Sequence, residues 1–334
     1  MEVTASDLIG MLGDPDEAVR HGAVRALCEF DPATVVPRLR RLRHESRGPL
    51  RRRALEALAA VGGPDALDDH DRAVIRRLIR VKIRGEVPAP MHLCGSWFAL
   101  PTPDQEAVLD AFGLSSPEPV TMRLGAGAWN HDNHDWAHPR AEHRGCHRVY
   151  VSPVLDGWTL VFGDRSDDVH RTGPPRDEAY EERLRGVVLA RCAALGLRFG
   201  AAHWYGVSCG DGWTAWTVAE GGEIVRHYDV SDPDDQIGRP LPAEEGLLPP
   251  HVQAMPEGWH DGVDLTDAAA LRARHREVRE RLGIPATCHA TVVAAGSSVD
   301  PAALGPATRV EGHGVLALTD CGREHGHPRG ALAI

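Results

Sequence analysis

The apolar positions of the first part of the chain recur at helical spacing. AVRHGAVRALCEF (18–30) and PLRRRALEALAAV (49–61) superimpose at an offset of 31 residues, with Val19 on Leu50, Ala23 on Ala54, Val24 on Leu55, Ala26 on Ala57 and Leu27 on Leu58. Apolar side chains three and four residues apart form one stripe, and the alanines among them let a neighbouring helix approach closely. Asp14 and Asp31 precede Pro15 and Pro32. Each pair reads as a helix start, because the carboxylate can accept an orphan backbone N–H and proline has none to lose. The pattern predicts two or more stacked helix pairs.

From Met91 onward the pattern shifts to short extended runs. HRVYVSP (147–153) and GWTLVFG (157–163) read as strands joined at Leu155–Asp156, and AAHWYGVS (201–208), WTAWTVAE (213–220) and EIVRHYDV (223–230) as an antiparallel meander punctuated by glycine turns. Another strand is expected in GVLALT (314–319). Two helices are expected on this side: Asp177 to Leu197, with Tyr180, Leu184, Val188, Cys192 and Leu195 along one face, and Asp267 to Leu282, stopped by Gly283 and Pro285. The proline-rich segment 232–250 reads as an ordered surface loop. The element order predicts an α+β fold, N-terminal helical repeats followed by a mainly antiparallel sheet with flanking helices, divided into 1–88 and 89–334.

DPDEAVRHGAVRALCEF resembles a HEAT-type repeat in its acidic start, its Val-Arg pair and its Ala-x-x-Ala-Leu core, a likeness covering about residues 5 to 85. It implies a module that binds proteins and, more rarely, DNA. Two copies are too few for a free solenoid, so the module is expected to pack on the rest of the chain. Together with VYVSPVLDGWTLVFG, FGAAHWYGVSCGDGWTAWTVAEGGEIVRHYD and SVDPAALGPATRVEGHGVLALTDCGREHGHPRGAL, this module makes the chain similar to a group of proteins from high-GC actinobacteria. That resemblance implies an architecture and no particular activity.

Charge changes the picture. The formal net charge is −11, but residues 1–86 hold 16 Arg or Lys against 14 Asp or Glu, and the remainder 21 against 34. An acidic main body makes nucleic acid an unlikely partner in general. The arginine group RLRRLRHESRGPLRRR (38–53) could track phosphates, yet its members recur on polar helix faces near acids, and a solvated face is expected. Lys82 is the only lysine, which reads as high-GC genome bias. No apolar run reaches the roughly 20 residues of a membrane span, and the start lacks a secretory pattern, so the expected address is the cytoplasm. Seven cysteines without a CxxC pair fit reduced thiols.

The densest chemistry lies in WNHDNHDWAHPRAEHRGCHR (129–148), with five histidines, three acids and a cysteine. Were 131–138 helical, His131, His134 and His138 would share an arc of about 60°, bordered by Asp135. Such a set could bind Zn²⁺ or another transition metal. Against a helix, Asn130, Asp132, Asn133 and Asp135 favour caps and turns, and Pro139 disfavours a helical His138. A metal site would then draw on His143, Cys146 and His147 and on distant His313, Cys321, His325 and His327.

Other motifs are weaker. GVSCG (206–210) matches the GxSxG nucleophile elbow, but Ser208 is followed by residues that read as turn and strand, where the elbow needs a helix. Cys209, with His203 nearby in sequence, is a separate candidate nucleophile. LGAGAWNH (124–131) lacks the third glycine of GxGxxG, and DPDDQIG (232–238) has its glycine one residue late for a calcium loop. Trp136, Trp204, Trp213 and Trp216 are candidate anchors for a partner, or core side chains that compensate for few Phe and Tyr. The leading reading is a soluble protein that binds a protein or peptide partner, regulatory or immunity-type. The alternative is a metal-dependent enzyme centred on 131–147, and a weaker one is DNA binding through the arginine-bearing helices.

Overall fold

Five helices open the chain: α1 (Ala5–Met11), α2 (Glu17–Cys28), α3 (Pro32–Glu45), α4 (Gly48–Gly62) and α5 (Asp69–Ile83). The structure, a computed structural model, describes residues 3–134, 146–163, 178–210, 212–252 and 254–326. Asp31 caps α3 through the Ala33 N–H, with Pro32 in the first turn, as the sequence pattern predicts. At the start of α2 the cap is Asp16, not Asp14: its carboxylate accepts from Ala18 N–H, while Asp14 accepts from Asp16 N–H at 2.8 Å. The cap thus falls one residue after the proline.

Helix α4 is the centre of this module. Ala54, Leu55, Ala57, Leu58, Ala59, Ala60 and Val61 are all buried, and α4 packs against α2 and α3. Its alanines permit that close approach on more than one side. Leu27, Val35 and Leu39 complete the core. A buried ion pair crosses it, with Arg43 Nε 2.9 Å and Nη2 2.8 Å from Asp71 Oδ1, tying α3 to α5.

The second part is built on strands β1 (Gly95–Leu100), β2 (Ser115–Val120), β3 (Arg148–Leu155), β4 (Trp158–Phe162), β5 (Ala201–Val207), β6 (Thr214–Glu220), β7 (Glu223–Asp229), β8 (Val310–Glu311) and β9 (Gly314–Leu318). Among the described residues they form one antiparallel sheet of order β2-β9-β3-β4-β1-β5-β6-β7, with β8 paired to β3. The strands expected from the alternating pattern are there. The β3–β4 hairpin turns on Asp156 and Gly157, both with positive φ (48° and 91°), the conformation of a tight hairpin turn. Strands β1 and β2 were not legible as such. β1 is buried along its last four residues, so it shows no apolar–polar alternation.

Helices α6 (Gln105–Ala111), α7 (Met122–His134), α8 (Glu178–Phe199), α9 (Ala268–Leu282), α10 (Ala290–Ser297) and α11 (Asp320–His325) complete the description. The period of two along the strands sorts side chains to two buried faces. Phe98, Leu100, Val149, Val151, Val161 and Trp204 pack with Val108 of α6 and Val188, Cys192 and Leu195 of α8. Trp97, Tyr150, Phe162, Tyr205 and Trp216 face the other way, in a cluster continuous with α7, α10 and the N-terminal helices. The helical module therefore rests on the remainder of the chain, α5 lying against β2.

Truncating Leu58 to alanine is expected to cost about 2–5 kcal/mol, and Arg43→Ala about 3–5 kcal/mol because it strands the buried Asp71 carboxylate. Urea midpoints at neutral pH measure both, and an Arg43→Met/Asp71→Leu double variant should recover most of the second loss.

Candidate functional site

Helix α7 lies against β3, where Gly125 faces the Tyr150 ring so closely that any side chain at 125 would collide with it. The last turn of α7 is composed of residues that disfavour helix. It is helical nonetheless, and the expectation that Asn130, Asp132 and Asn133 would break it is corrected by what their side chains do. Asn130 Nδ2 donates to the His92 carbonyl at 3.0 Å, and Asn133 Nδ2 donates to the Cys94 carbonyl. Asp132, 1% exposed, accepts from Arg148 three times: backbone N–H at 2.9 Å, Nε at 2.9 Å and Nη2 at 2.7 Å. Burial alone would raise the Asp132 pKa, but the hydrogen bonds and charge of Arg148 outweigh it and hold the carboxyl well below the usual range.

With α7 so placed, two cysteine–histidine groups form. The first joins Cys94, His134 and Cys209, and the second Cys146, Cys321 and His325; in each, one ligand atom per residue lies within 4.8 Å of the others. Strand register explains the thiol pairs. Gly95 opposes Val207, so the residue before β1 and the residues after β5 meet at one sheet end, where Cys94 Sγ and Cys209 Sγ are 2.8 Å apart. Arg148 opposes Leu318, which brings Cys146, two residues before β3, to the chain just beyond β9; its Sγ is 3.0 Å from Cys321 Sγ.

The two histidines share a geometry. Each ends a helix, and its Nδ1 reaches the carbonyl four residues back: His134 to Asn130 at 2.7 Å and His325 to Cys321 at 3.2 Å. A carbonyl can only accept, so Nδ1 is the donor in each contact, and His325 Nδ1 also lies 3.8 Å from Cys321 Sγ.

The other candidate ligands are placed elsewhere. His131 shares α7 with His134, but its Nδ1 lies 3.4 Å from Asp132 Oδ1 and the ring does not join either group. His147 is buried beside Cys146, and His313 is exposed, its carbonyl accepting from Gln105. His138, His143, Trp136 and His327 lie outside the described residues. Cys94 was absent from the expected ligands. Its sequence neighbours carry no metal-binding spacing, and only the β1–β5 pairing brings it to Cys209.

Among the described residues no hydrogen bond joins His203 to Ser208 or Cys209: His203 pairs with Tyr205, Cys209 with Cys94, and Ser208 Oγ accepts from Gly210 N–H. Ser208 and Cys209 lie between β5 and β6, Ser208 N–H donating to the Trp213 carbonyl at 2.9 Å, so no helix follows the GxSxG match. His203 is buried on β5, with Nδ1 3.0 Å from Tyr205 Oη and its ring tilted over Trp158. Burial lowers its pKa to about 4.

Three of the candidate tryptophans lie in the described residues, and two of them take the core alternative. Trp204 is 6% exposed and Trp216 1% exposed; Trp216 stacks on Tyr228 and donates to Glu244. Trp213 is half-buried, edge-on to Trp204, with Nε1 donating to Asp229 at 2.9 Å. Trp204 and Trp216, sealed between strands and helices, belong to the core, whereas Trp213 packs at its edge.

Of the eight arginines in 38–53, five are engaged within the module: Arg38 with Ser6, Arg40 with the Ala66 carbonyl, Arg43 with Asp71, Arg52 with Glu56, and Arg53 with the Leu12 and Asp14 carbonyls. A cavity of about 420 Å³ opens where α5 meets α7, lined by residues that include Lys82, Glu86, Val87, Met91, His92 and Asn130. Glu86 stiffens its wall by accepting the N–H groups of Met122 and Arg123 at 2.8 and 3.2 Å.

Comparison with known proteins places one part of the chain. Residues 5–69 match the family model for HEAT repeats, spanning α1 to the first residue of α5. No curated protein and no solved structure matches the chain. HEAT repeats commonly mediate protein interaction. No helix of the described residues is long and apolar enough to cross a membrane.

Asp132→Asn is expected to cost about 3–5 kcal/mol in urea unfolding at neutral pH, since it leaves the buried Arg148 guanidinium without its counter-charge. Acid should weaken the fold in two steps. Burial holds His203 and His227 near pKa 4, so between pH 6.5 and 4 the unfolded chain takes up protons the folded chain refuses. Stability should fall by about 1.4 kcal/mol per pH unit for each histidine. The Asp132 contribution, whose carboxyl is depressed, is full above about pH 4 and is lost only at lower pH. Urea midpoints measured against pH should lose the first slope in a His203→Gln/His227→Gln variant.

Proposed function

We propose that the protein is a partner-binding protein, regulatory or immunity-type, and that a protein or peptide docks where the HEAT module meets the sheet. The observation that carries this reading is the seam itself. The repeat module ends at the cavity described above, and Val81 (63% exposed) and Val87 (59%) stand out of its last helix and the following linker. Val87 lines the cavity and Val81 precedes its lining residue Lys82, and exposed apolar side chains at a concave, pre-formed cleft suit the anchoring residues of a partner. The core tryptophans have no part in it.

The bias to arginine over lysine supports an actinobacterial origin, and seven cysteines outside any small-domain disulfide framework support a reducing, cytoplasmic setting. The DNA reading draws on Arg41, Arg47 and Arg51, which are exposed. It is weakened by the five arginines committed to internal bonds. The metal-dependent enzyme reading draws on the two cysteine–histidine groups flanking the histidine-rich segment, and requires turnover as well as ion binding.

A photo-crosslinker placed at position 87 of the full chain, in native lysate, should capture one protein in near-stoichiometric yield. Val81→Glu should reduce that yield at least tenfold while leaving the circular dichroism spectrum unchanged. Absence of any stoichiometric adduct, or an adduct indifferent to the substitution, would reject the reading.

A further inference from the structure

We propose that the chain holds two thiophilic divalent cations of the zinc class, one by Cys94, His134 and Cys209 and the other by Cys146, Cys321 and His325. The proposal is independent of the partner reading.

Three observations converge. Each group combines two sulfurs and one imidazole within 4.8 Å of one another, a donor set that zinc favours and that hard cations do not. The imidazole in each is held in place by a contact from Nδ1 to the carbonyl of Asn130 or Cys321, the kind of outer partner that orients a metal-bound histidine, and in the second group Nδ1 also lies 3.8 Å from Cys321 Sγ. Each group also joins elements far apart in sequence: the ends of β1, β5 and α7 in one, and the lead-in to β3 and helix α11 in the other. Cys321 and His325 are four residues apart on α11, so they project from one face a turn apart.

The distances decide what loading requires. Two thiolates on a tetrahedral zinc, at a Zn–S length of about 2.3 Å, sit roughly 3.7 Å apart. The pairs here stand at 2.8 and 3.0 Å, so each must open by under about 1 Å. Closing to a disulfide would need a movement of similar size in the opposite sense, to about 2.05 Å, and the loss of two electrons and two protons to an oxidant. The imidazole weighs for the metal, because a disulfide has no use for a third donor. On binding, the four thiols would lose their protons to solvent and coordinate as thiolates.

Each group supplies three of the four donors that zinc takes. His92 stands beside the first, its ring centre 6.4 Å from that of His134.

The test uses the full chain, purified without a polyhistidine tag, reduced, loaded with zinc and desalted. Elemental analysis should find two zinc ions per chain, falling to one in Cys94→Ser/Cys209→Ser and to one in Cys146→Ser/Cys321→Ser, with Cys28→Ser unchanged. Cobalt loading of the unaltered chain gives a readout that does not depend on variants folding: thiolate-to-cobalt charge-transfer absorption with tetrahedral d–d bands, saturating at two equivalents. One ion or fewer per chain, or cobalt bound without the charge-transfer band, would overturn the proposal. So would an intact mass, taken without reductant on protein as isolated, lower by two hydrogens for each pair with no metal present.

Discussion

The Asp132–Arg148 ion pair holds together the part of the molecule where its chemistry gathers. It fastens the last turn of α7 to the first residue of β3 through a bidentate bond and a backbone N–H. From that one anchorage follow the position of His134 at the mouth of β1 and β5 and the position of Cys146 at the mouth of β3 and β9. A buried carboxylate is tolerated because every oxygen is matched by a donor, and a buried guanidinium because its charge is met. Arg43–Asp71 and Arg226–Glu244 repeat the device, the latter fastening β7 to the loop that carries Glu244. Each spans two elements that apolar packing alone would leave free to slide.

The sheet supplies the rigid frame for this. Both of its faces are covered, α6 and α8 on one and α7, α10 and the helical module on the other. A side chain at a strand end therefore has little freedom to choose its neighbours; the register chooses for it. That is how a residue ahead of β1 and one beyond β5, 115 positions apart, come to share a sulfur contact. The HEAT module is part of the same apolar cluster, which answers how so few repeats can be stable. Its inner face is sealed by the rest of the chain where a longer solenoid would add another repeat.

The local periodicities of this chain determined a good deal. The helices of the repeat, the β3–β4 hairpin, the β5–β6–β7 meander, α9 and β9 each have a period or a turn chemistry carried by adjacent residues, and each was readable as such. Where both faces of an element are buried, as in β1, the alternation vanishes and with it the signal. The tryptophans carried no mark of burial, since an indole anchors a core and an interface by the same apolar surface.

What only the tertiary structure decided is the company each polar residue keeps. Asn130, Asp132 and Asn133 have side chains that compete with a helical backbone, and taken alone they argue for a turn. The fold gives those side chains other partners, the carbonyls of His92 and Cys94 and the guanidinium of Arg148, so the helix persists to His134. Cys94 had no informative neighbours in sequence and acquires Cys209 through strand pairing. Sequence spacing encodes contacts within one turn or one hairpin, whereas a group such as Cys94, His134 and Cys209, drawn from the ends of three separate elements, is encoded only by the packing that brings them together.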